Sequence, residues 1–386
     1  MQNLLQEPPL GLYIHIPWCV RKCPYCDFNS HKVDQVMPEK AYIDALLRDL
    51  DRELPRVAGR TIHSIFFGGG TPSLFSVGGI DELVCKIRQR TNLSAELEIT
   101  LEANPGTLEK DKFNGFRDAG VNRLSIGIQS FQSQHLQSLG RIHSADEAGY
   151  AVESAHAAGF DNFNIDLMFG LPKQSLADAL ADVKRAIALK PSHLSFYQLT
   201  IEPHTFFYKN RPILPKEDII WEIQQACYSY LNQCGYYQYE ISAFAANSNF
   251  CQHNLNYWQF GDYVGIGAGA HGKITQSQTN KIIRYYKVKH PLRYLEIMAT
   301  DEPCGNESIV TEESRVLEFL MNALRLNQGF ELSMYSQRTG LSATTLEPQL
   351  SACIDEGLLE RKEMTIRCTV KGRNFLDDVL SRFTIN

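Results

Sequence analysis

Short β-type runs alternate with amphipathic stretches between residues 11 and 200 of this chain. The runs rich in β-branched and aromatic residues are Leu12–Ile16, Ser64–Phe67, Glu98–Leu101, Arg123–Ile128, Asn164–Met168 and His193–Gln198. Apolar positions recur at helical spacing in Glu39–Leu54, Ile80–Arg90, Leu108–Ala119, Ala145–Ala158 and Leu176–Leu189. This alternation predicts an α/β fold with a parallel sheet covered by helices. The periodicity alone leaves open whether the sheet is flat and doubly wound or curls into a partial barrel.

The C-terminal third follows a different pattern. A helix at Glu217–Cys234 and a strand at Tyr237–Ser242 precede an aromatic, glycine-rich stretch, and a linker-like segment then runs to about Asn306. The tail reads as helices Glu312–Leu326, Leu332–Thr339 and Thr345–Glu356, a β-wing at Leu358–Val370 and a last helix at Asn374–Phe383. This order is typical of a small α+β winged-helix-like domain. We therefore expect three units, at residues 1–210, 211–305 and 306–386.

Composition and charge narrow the function classes. The chain has 386 residues, a net charge of −6 and a pI near 6.0, which disfavour a nucleic-acid-binding protein. The third helix of the tail carries no Lys or Arg, so it lacks the cations of a DNA-recognition helix. No apolar run has transmembrane length, and we expect no leader peptide. Seven of the ten cysteines are scattered, which favours reduced thiols and a cytoplasmic location.

The other three cysteines form the run C-x₃-C-x₂-C at Cys19, Cys23 and Cys26. Three thiolates on one loop can each bind a different iron of a 4Fe–4S cube, which leaves the fourth iron open to a small molecule. Phe28 lies two residues beyond the third cysteine, and no other cysteine follows before Cys85. A structural zinc site is the alternative, but zinc prefers four ligands, and neither His15 nor His31 forms a second pair.

Polar and glycine-rich residues follow the predicted strands, at the edge where parallel sheets place their chemistry. Glu102, Gln129, Arg141 and Asp166 lie at or just beyond strand ends. Carboxylates and amides suit ribose hydroxyls, and a guanidinium suits a carboxylate. For any one of these residues a salt bridge or a capped turn is the simpler explanation, but four at one rim favour a ligand site. Gly68–Gly70 also follows a strand, although a glycine run alone indicates only a tight turn.

With these residues in view, the chain resembles the HemN/HemW family of radical S-adenosylmethionine (SAM) proteins over nearly its whole length. The matching motifs are Tyr13-Ile-His15-Ile-Pro17-Trp18-Cys19, the cysteine loop with Asp27-Phe28-Asn29, Gly68-Gly-Gly-Thr-Pro-Ser73, Leu101-Glu-Ala-Asn-Pro-Gly106, Ser125-Ile-Gly-Ile-Gln-Ser-Phe131, Asn164-Ile-Asp-Leu-Met-Phe-Gly-Leu-Pro172 and His253-Asn-Leu-Asn-Tyr-Trp258. The resemblance implies a partial (β/α)₆ TIM-like barrel and a 4Fe–4S cluster on Cys19, Cys23 and Cys26, with SAM closing its fourth iron.

The resemblance also implies which residues contact SAM. They are Tyr13, Tyr25, Gly69, Gly70, Thr71, Glu102, Gln129, Arg141 and Asp166. The glycine segment matches the GGE-like stretch that holds the amino group of SAM in such proteins. Thr71 stands where many members have an acid, so this part of the SAM site must differ in detail.

Two features place the resemblance in the HemW branch rather than with the coproporphyrinogen III dehydrogenases. Those enzymes carry a fourth cysteine where this chain has Phe28, and the H-N-x-x-Y-W segment at His253–Trp258 is a HemW feature. The HemW branch implies haem as cargo and apo-haemoproteins, such as respiratory-chain enzymes, as partners, which allows peripheral membrane contact. The alternative function is radical oxidative decarboxylation of coproporphyrinogen III.

His253 is the candidate axial haem ligand, with Tyr257 and Trp258 placed to pack on the porphyrin. Cys251 and His271 are further candidates, and His15 could face the cluster. The alternative is that His253 hydrogen-bonds inside a turn while Tyr257 and Trp258 fill the core.

Overall fold

The computed structural model describes residues 5–33, 36–106 and 112–384. The strands in these ranges are β1 Leu10–Ile16, β2 Trp18–Cys19, β3 His31–Lys32, β4 Thr61–Gly69, β5 Asn92–Ala103, β6 Arg123–Gln129, β7 Phe163–Phe169, β8 His193–Gln198, β9 Tyr237–Glu240, β10 Ala243–Ala245, β11 Asp262–Ile266, β12 His271–Gln276, β13 Lys281–Lys287, β14 Gly305–Ile309, β15 Phe330–Glu331, β16 Leu359–Lys362 and β17 Thr365–Cys368. The helices are α1 Glu39–Glu53, α2 Val77–Arg90, α3 Phe113–Asp118, α4 Ser133–Ser138, α5 Ala145–Ala157, α6 Leu176–Ala188, α7 Phe206–Lys209, α8 Glu217–Gln233, α9 Gln252–Trp258, α10 Pro291–Met298, α11 Glu312–Ala323, α12 Leu332–Thr339, α13 Gln349–Asp355, α14 Val370–Asn374 and α15 Leu376–Ser381. Single 3₁₀ turns lie at Leu54–Val57, Pro72–Leu74, Ser277–Thr279 and Ala343–Leu346.

Six parallel strands form the centre of the protein. The strands β1, β4, β5, β6, β7 and β8 are neighbours in that order, and each pair of neighbours is parallel. Each contains one of the six strands predicted from the sequence. The helices α2, α5 and α6 begin at Ser76, Ser144 and Ser175, whose side chains accept a hydrogen bond from the first turn. The predicted α/β fold is therefore confirmed.

The parallel sheet curls so that its two ends approach each other. The Phe207 amide, beyond β8, donates a hydrogen bond of 2.9 Å to the Pro24 carbonyl, beyond β1. The Phe207 ring also lies 6.4 Å from the ring of Tyr25. Contact between the first and last βα loops requires a curved sheet, so the six strands form a partial barrel rather than a flat sheet.

The prediction of a linker-like segment before Asn306 is wrong, because this part of the chain forms strands and a helix. Strand β11 pairs in parallel with β1, and β12, β13 and β14 extend the sheet as antiparallel neighbours, with α10 between β13 and β14. Glycines interrupt the alternation of apolar and polar residues in this region, so the strands are not evident from the sequence. Gly272 is required by packing, because a Cβ there would lie 2.1 Å from the Tyr285 ring. On the buried side, Lys287 lies 2.6 Å from Asp49 and 2.7 Å from Glu53, which joins this extension to α1.

The C-terminal residues form a separate small core. Strands β15, β17 and β16 make a three-stranded antiparallel sheet against α11, α12 and α13. Phe319, Leu320, Tyr335, Leu350 and Ile366 are buried together in it. This arrangement is the α+β winged-helix-like order expected. The predicted third helix is broken into a 3₁₀ turn and α13 because Pro348 cannot donate the hydrogen bond that a continuous helix needs.

The helix predicted at Leu108–Ala119 appears as α3, and its residues 108–111 lie outside the described ranges. Across the described parts of the chain, no helix is both long enough and apolar enough to cross a lipid bilayer.

Candidate functional site

A cavity of about 250 Å³ opens at the C-terminal ends of the parallel strands. Its lining includes eleven of the thirteen residues selected from the sequence, namely Cys19, Cys23, Cys26, Tyr25, Gly69, Gly70, Thr71, Glu102, Gln129, Arg141 and Asp166. Ten of these residues come from the loop after β1 and from β4, β5, β6 and β7 or just beyond them, and Arg141 comes from the segment after α4. The curl of the sheet therefore brings them around one space.

The three cysteines occupy one side of this cavity. Cys19 ends β2, which is held by the short strand β3, and the Cys26 amide donates to the Cys23 carbonyl at 3.2 Å. All three thiols are partly exposed and none forms a disulfide. Burial raises the pKa of Cys19 and Cys26, so their thiolates need a cationic partner.

A 4Fe–4S cluster would supply that partner, and the donor set fits it. Within the described ranges, no three His, Cys, Asp or Glu side chains converge as they would around a single metal ion. Each thiolate of a cube binds its own iron, so the cysteines need not converge on one point. Thiol chemistry, partial exposure and a shared cavity are the features that the cluster requires.

The glycines at the end of β4 are required by packing. A Cβ on Gly69, whose φ is +115°, would lie 2.5 Å from the His15 ring, and a Cβ on Gly70 would lie 2.5 Å from the Trp18 carbonyl oxygen. Their absent side chains therefore let the end of β4 lie directly against the segment that leads to the cysteines. The Gly69 amide points to the Glu102 carboxylate at 3.1 Å.

Two acids face the cavity from neighbouring parts of the sheet. Burial, with a further contribution from Asp166, raises the pKa of Glu102 to about 8. Burial also raises the pKa of Asp166, which accepts hydrogen bonds from Asn164 at 2.7 Å and from Ser125 at 3.4 Å. A pair of buried acids can accept from hydroxyl or ammonium groups of a ligand. This chemistry suits a ribose or an amino group.

Arg141 brings a cation to the same cavity. Its guanidinium donates to the Asn104 side-chain oxygen at 2.7 Å and to the Gly127 carbonyl, and one nitrogen lies 3.8 Å from the Cys23 sulfur. The Arg141 Nε is buried and has no hydrogen-bond partner among the described groups. The guanidinium is thus held in the lining of the cavity as a fixed positive charge. That fits the carboxylate of an amino-acid-like ligand.

Asn104 and Tyr197 are site residues that the sequence reasoning did not select. Asn104 donates to Thr71 at 2.8 Å while accepting from Arg141, so it joins β4 to the helical turn that follows α4. Tyr197 donates to the Gln129 side-chain oxygen at 2.8 Å across the intervening β7. Asn104 belongs to the quoted segment after β5, so its position two residues beyond Glu102 was a usable signal.

Tyr13, a predicted SAM contact, does not line the cavity. Its hydroxyl lies 2.9 Å from His15 Nδ1, and the other nitrogen of His15 lies 2.9 Å from the Asn29 carbonyl. Burial lowers the pKa of His15 to about 4. Tyr13 and His15 thus form a chain of hydrogen bonds to Asn29 of the cysteine loop, and neither side chain lines the cavity.

His253, the predicted haem ligand, also lies away from the cavity. Its side chain is 1% exposed, with Nδ1 2.8 Å from Ser64 Oγ and Nε2 2.9 Å from the Tyr257 hydroxyl. Burial lowers its pKa to about 3. Both ring nitrogens are engaged, so neither is presented to an iron. In this structure the ring has the packing role that the sequence left open as the alternative, and the ligand assignment stays a prediction.

The rest of the H-N-x-x-Y-W segment packs against the protein in the same way. The Arg325 guanidinium lies over the Trp258 ring at 4.2 Å, and the Tyr257 ring lies 4.5 Å from that of Tyr263. Cys251 is buried, and burial raises its pKa to about 12. His271, in contrast, is exposed at the start of β12.

Comparisons with known proteins match both parts of the chain. Residues 13–186 match the model of the radical SAM superfamily, and residues 310–375 match the HemN C-terminal domain. The solved structure of coproporphyrinogen III oxidase (HemN) from Escherichia coli, a radical SAM enzyme, is similar with a TM-score of 0.82 and 25% identity. That likeness covers 98% of this chain and 90% of the enzyme.

Curated relatives are more similar in sequence. The heme chaperone HemW of Escherichia coli is 46% identical over 98% of this chain and 99% of its own length. The heme chaperone HemW of Haemophilus influenzae is 47% identical over 97% of this chain and 98% of its own length. Since identity of this level extends across both the cysteine-loop barrel and the C-terminal domain, the chain belongs to the HemW family of radical SAM proteins.

Proposed function

We propose that this protein binds haem and transfers it to apo-haemoproteins, with a SAM-bound 4Fe–4S cluster in its barrel. The observation that carries the proposal is the near full-length identity of 46–47% to relatives named heme chaperones. The cavity supports it because the cysteines, acids and cation that the family's cofactors need lie around one space.

In this proposal Cys19, Cys23 and Cys26 hold the cluster through three of its irons. When bound at the fourth iron, SAM together with a reduced cluster would supply radical chemistry through cleavage of a carbon–sulfur bond of SAM. The residues of the chain would bind and orient the cluster and SAM. The cysteine loop is held in place for this by β3 and by the hydrogen bond between His15 and Asn29.

In this proposal, different polar residues of the cavity bind different groups of the SAM molecule. Arg141 would offer its fixed guanidinium to the carboxylate. Glu102 and Asp166 would accept hydrogen bonds from hydroxyl groups of the ligand. Tyr25 and Gln129 line the same cavity.

Phe28 favours the chaperone function over the alternative dehydrogenase function. Its side chain lies at the cavity and is 59% exposed, in the position where the dehydrogenase branch has a further cysteine. An exposed phenyl ring beside the cluster gives an apolar surface where the alternative would give a thiolate. We propose that the protein acts in the cytoplasm and that its acceptors include respiratory-chain haemoproteins.

The direct test is a two-step measurement on cluster-loaded protein without oxygen. Ferric haem is titrated first, and saturation of the Soret absorbance at one haem per chain is expected. The haem-loaded protein is then mixed with an apo-haemoprotein on a separable bead, and haem should move to the acceptor. Absence of saturable binding by the wild-type protein would overturn the proposal.

The likeness to HemN supports a second candidate function, oxidative decarboxylation of coproporphyrinogen III. That activity requires cleavage of SAM, whereas haem transfer does not. Incubating cluster-loaded protein with coproporphyrinogen III, SAM and a low-potential reductant therefore separates the two. Protoporphyrinogen IX together with 5′-deoxyadenosine would favour the enzyme, and neither product is expected.

A further inference from the structure

Imidazole side chains gather around Asn29, beside the cysteine loop. Four of the eleven histidines belong to this group, namely His15, His31, His271 and His290. The Asn29 carbonyl and side-chain oxygen are 2.9 Å and 3.2 Å from a histidine nitrogen, and its Nδ2 donates to the Lys289 carbonyl at 2.8 Å. One asparagine of the cysteine loop thus ties β1, β3 and the segment before α10 together.

This histidine group adjoins the proposed cluster. In the short parallel ladder β2–β3, Trp18 is opposite His31 and Cys19 is opposite Lys32. Ser30, next to His31 in the chain, has its hydroxyl 3.8 Å from the Cys26 sulfur. His31 therefore belongs to the same loop structure that carries the cysteines, on the side that faces the sheet extension.

His271 and His290 are the exposed members of the group. The His290 ring lies 5.6 Å from that of His31, and His290 precedes α10 without a side-chain hydrogen bond to that helix. Burial, together with His290 and Lys22, lowers the pKa of His31. The lowered pKa favours the neutral form of the His31 imidazole, which is the form that binds iron.

The surroundings offer the other contacts that a haem molecule needs. Phe28, exposed at the mouth of the cavity, provides an apolar face. Lys22 is exposed, and its ammonium holds the Phe28 carbonyl at 3.0 Å and the Ser30 carbonyl at 3.2 Å. Lys289, also exposed, precedes His290. A ligating imidazole, a phenyl ring and two ammonium groups match the iron, porphyrin face and propionates of haem.

We propose that His290 is the axial ligand of haem, with His31 beside it, on the surface formed by Lys22, Phe28, His31, Lys289 and His290. This inference rests on the proposed haem-binding function and gives that function its site. It replaces His253, whose two ring nitrogens are bonded inside the barrel. It also places the haem at the mouth of the cluster cavity, because Phe28 belongs to both.

The test compares variants by anoxic haem titration of the cluster-loaded full chain. His290→Ala is expected to weaken haem binding about tenfold or more, as loss of a metal-site partner commonly does, and to change the Soret band. His31→Ala should have a smaller effect. His63→Ala, which removes an exposed histidine from the early part of β4, is the matched control and should bind as the wild type does.

Chemical rescue distinguishes a ligand from a residue needed only for folding. Free imidazole should restore the wild-type Soret band in His290→Ala, while the cluster absorbance stays unchanged throughout. If the wild type binds haem and His290→Ala binds it with the same affinity and spectrum, the site assignment is overturned and the haem function stands. If the wild type itself does not bind haem, the proposed function fails and takes the assignment with it.

Discussion

The Nδ1 atom of His253 and the Oγ atom of Ser64 lie 2.8 Å apart inside the barrel. Ser64 precedes Gly69, at the cavity, by five residues of β4, which is about 16 Å of extended strand. The histidine of the H-N-x-x-Y-W segment is therefore part of the barrel core, well below the cluster edge of the sheet. The bond between His253 and Ser64 therefore contributes to the stability of the protein and not to ligand binding at the cavity.

His253→Ala should therefore destabilise the fold rather than remove a ligand. The substitution leaves the Tyr257 and Ser64 hydroxyls without their partner and opens a cavity, which together cost about 2–4 kcal/mol. Urea unfolding followed by circular dichroism measures this loss. Ser64→Ala, which removes one of the two hydrogen bonds, should lose less. Unchanged stability with a large drop in haem affinity would return His253 to the ligand role.

The three cysteines should be equivalent in holding the cluster. Replacing Cys19, Cys23 or Cys26 with Ser removes one of three iron ligands, so each variant should lose the visible absorbance and most of its bound iron after reconstitution. Cys85→Ser changes an exposed cysteine on α2 and serves as the control, with full iron content expected. Full iron in any one of the three variants would remove that residue from the site.

Much of the site could be predicted because strand ends are readable from local sequence. Glu102 and Asp166 follow from the alternation and end points of two strands, and the cysteines from their spacing. The position of His253 could not be predicted, since its partner Ser64 is 189 residues away and only the folded sheet brings them together. The edge strand β14 was missed because it is largely exposed and has no apolar alternation.

Arg141→Lys should weaken SAM binding while leaving the cluster in place. Lysine keeps the positive charge but loses the planar donor set that reaches Asn104 and Gly127 together with a ligand carboxylate. We expect the SAM dissociation constant to rise about tenfold, equivalent to about 1.4 kcal/mol, measured by calorimetry on cluster-loaded protein. Arg90→Lys, on the outer helix α2, is the control. Equal SAM affinity in both variants would show that Arg141 acts only in folding.

Glu102 should make the ligand-free protein less stable as the pH rises. Burial, aided by Asp166, raises its pKa to about 8 in the folded state, above the usual carboxyl value of 4.5. Below pH 4.5 the carboxyl is protonated in both states and has no effect. Between pH 4.5 and 8 the unfolded chain releases this proton while the folded chain keeps it, so the free energy of unfolding falls. Above pH 8 both states are ionised and the loss is complete.

Glu102→Gln tests this linkage because an amide resembles the protonated acid and can still accept from the Gly69 amide. At pH 4 the variant and the wild type should have similar free energies of unfolding. At pH 8 the variant should be more stable, so its stability curve is flatter across that interval. Glu96→Gln, at an exposed position of the same strand, should follow the wild type. Parallel curves for Glu102→Gln and wild type, measured by urea unfolding at each pH, would mean that Glu102 is already ionised in the folded protein.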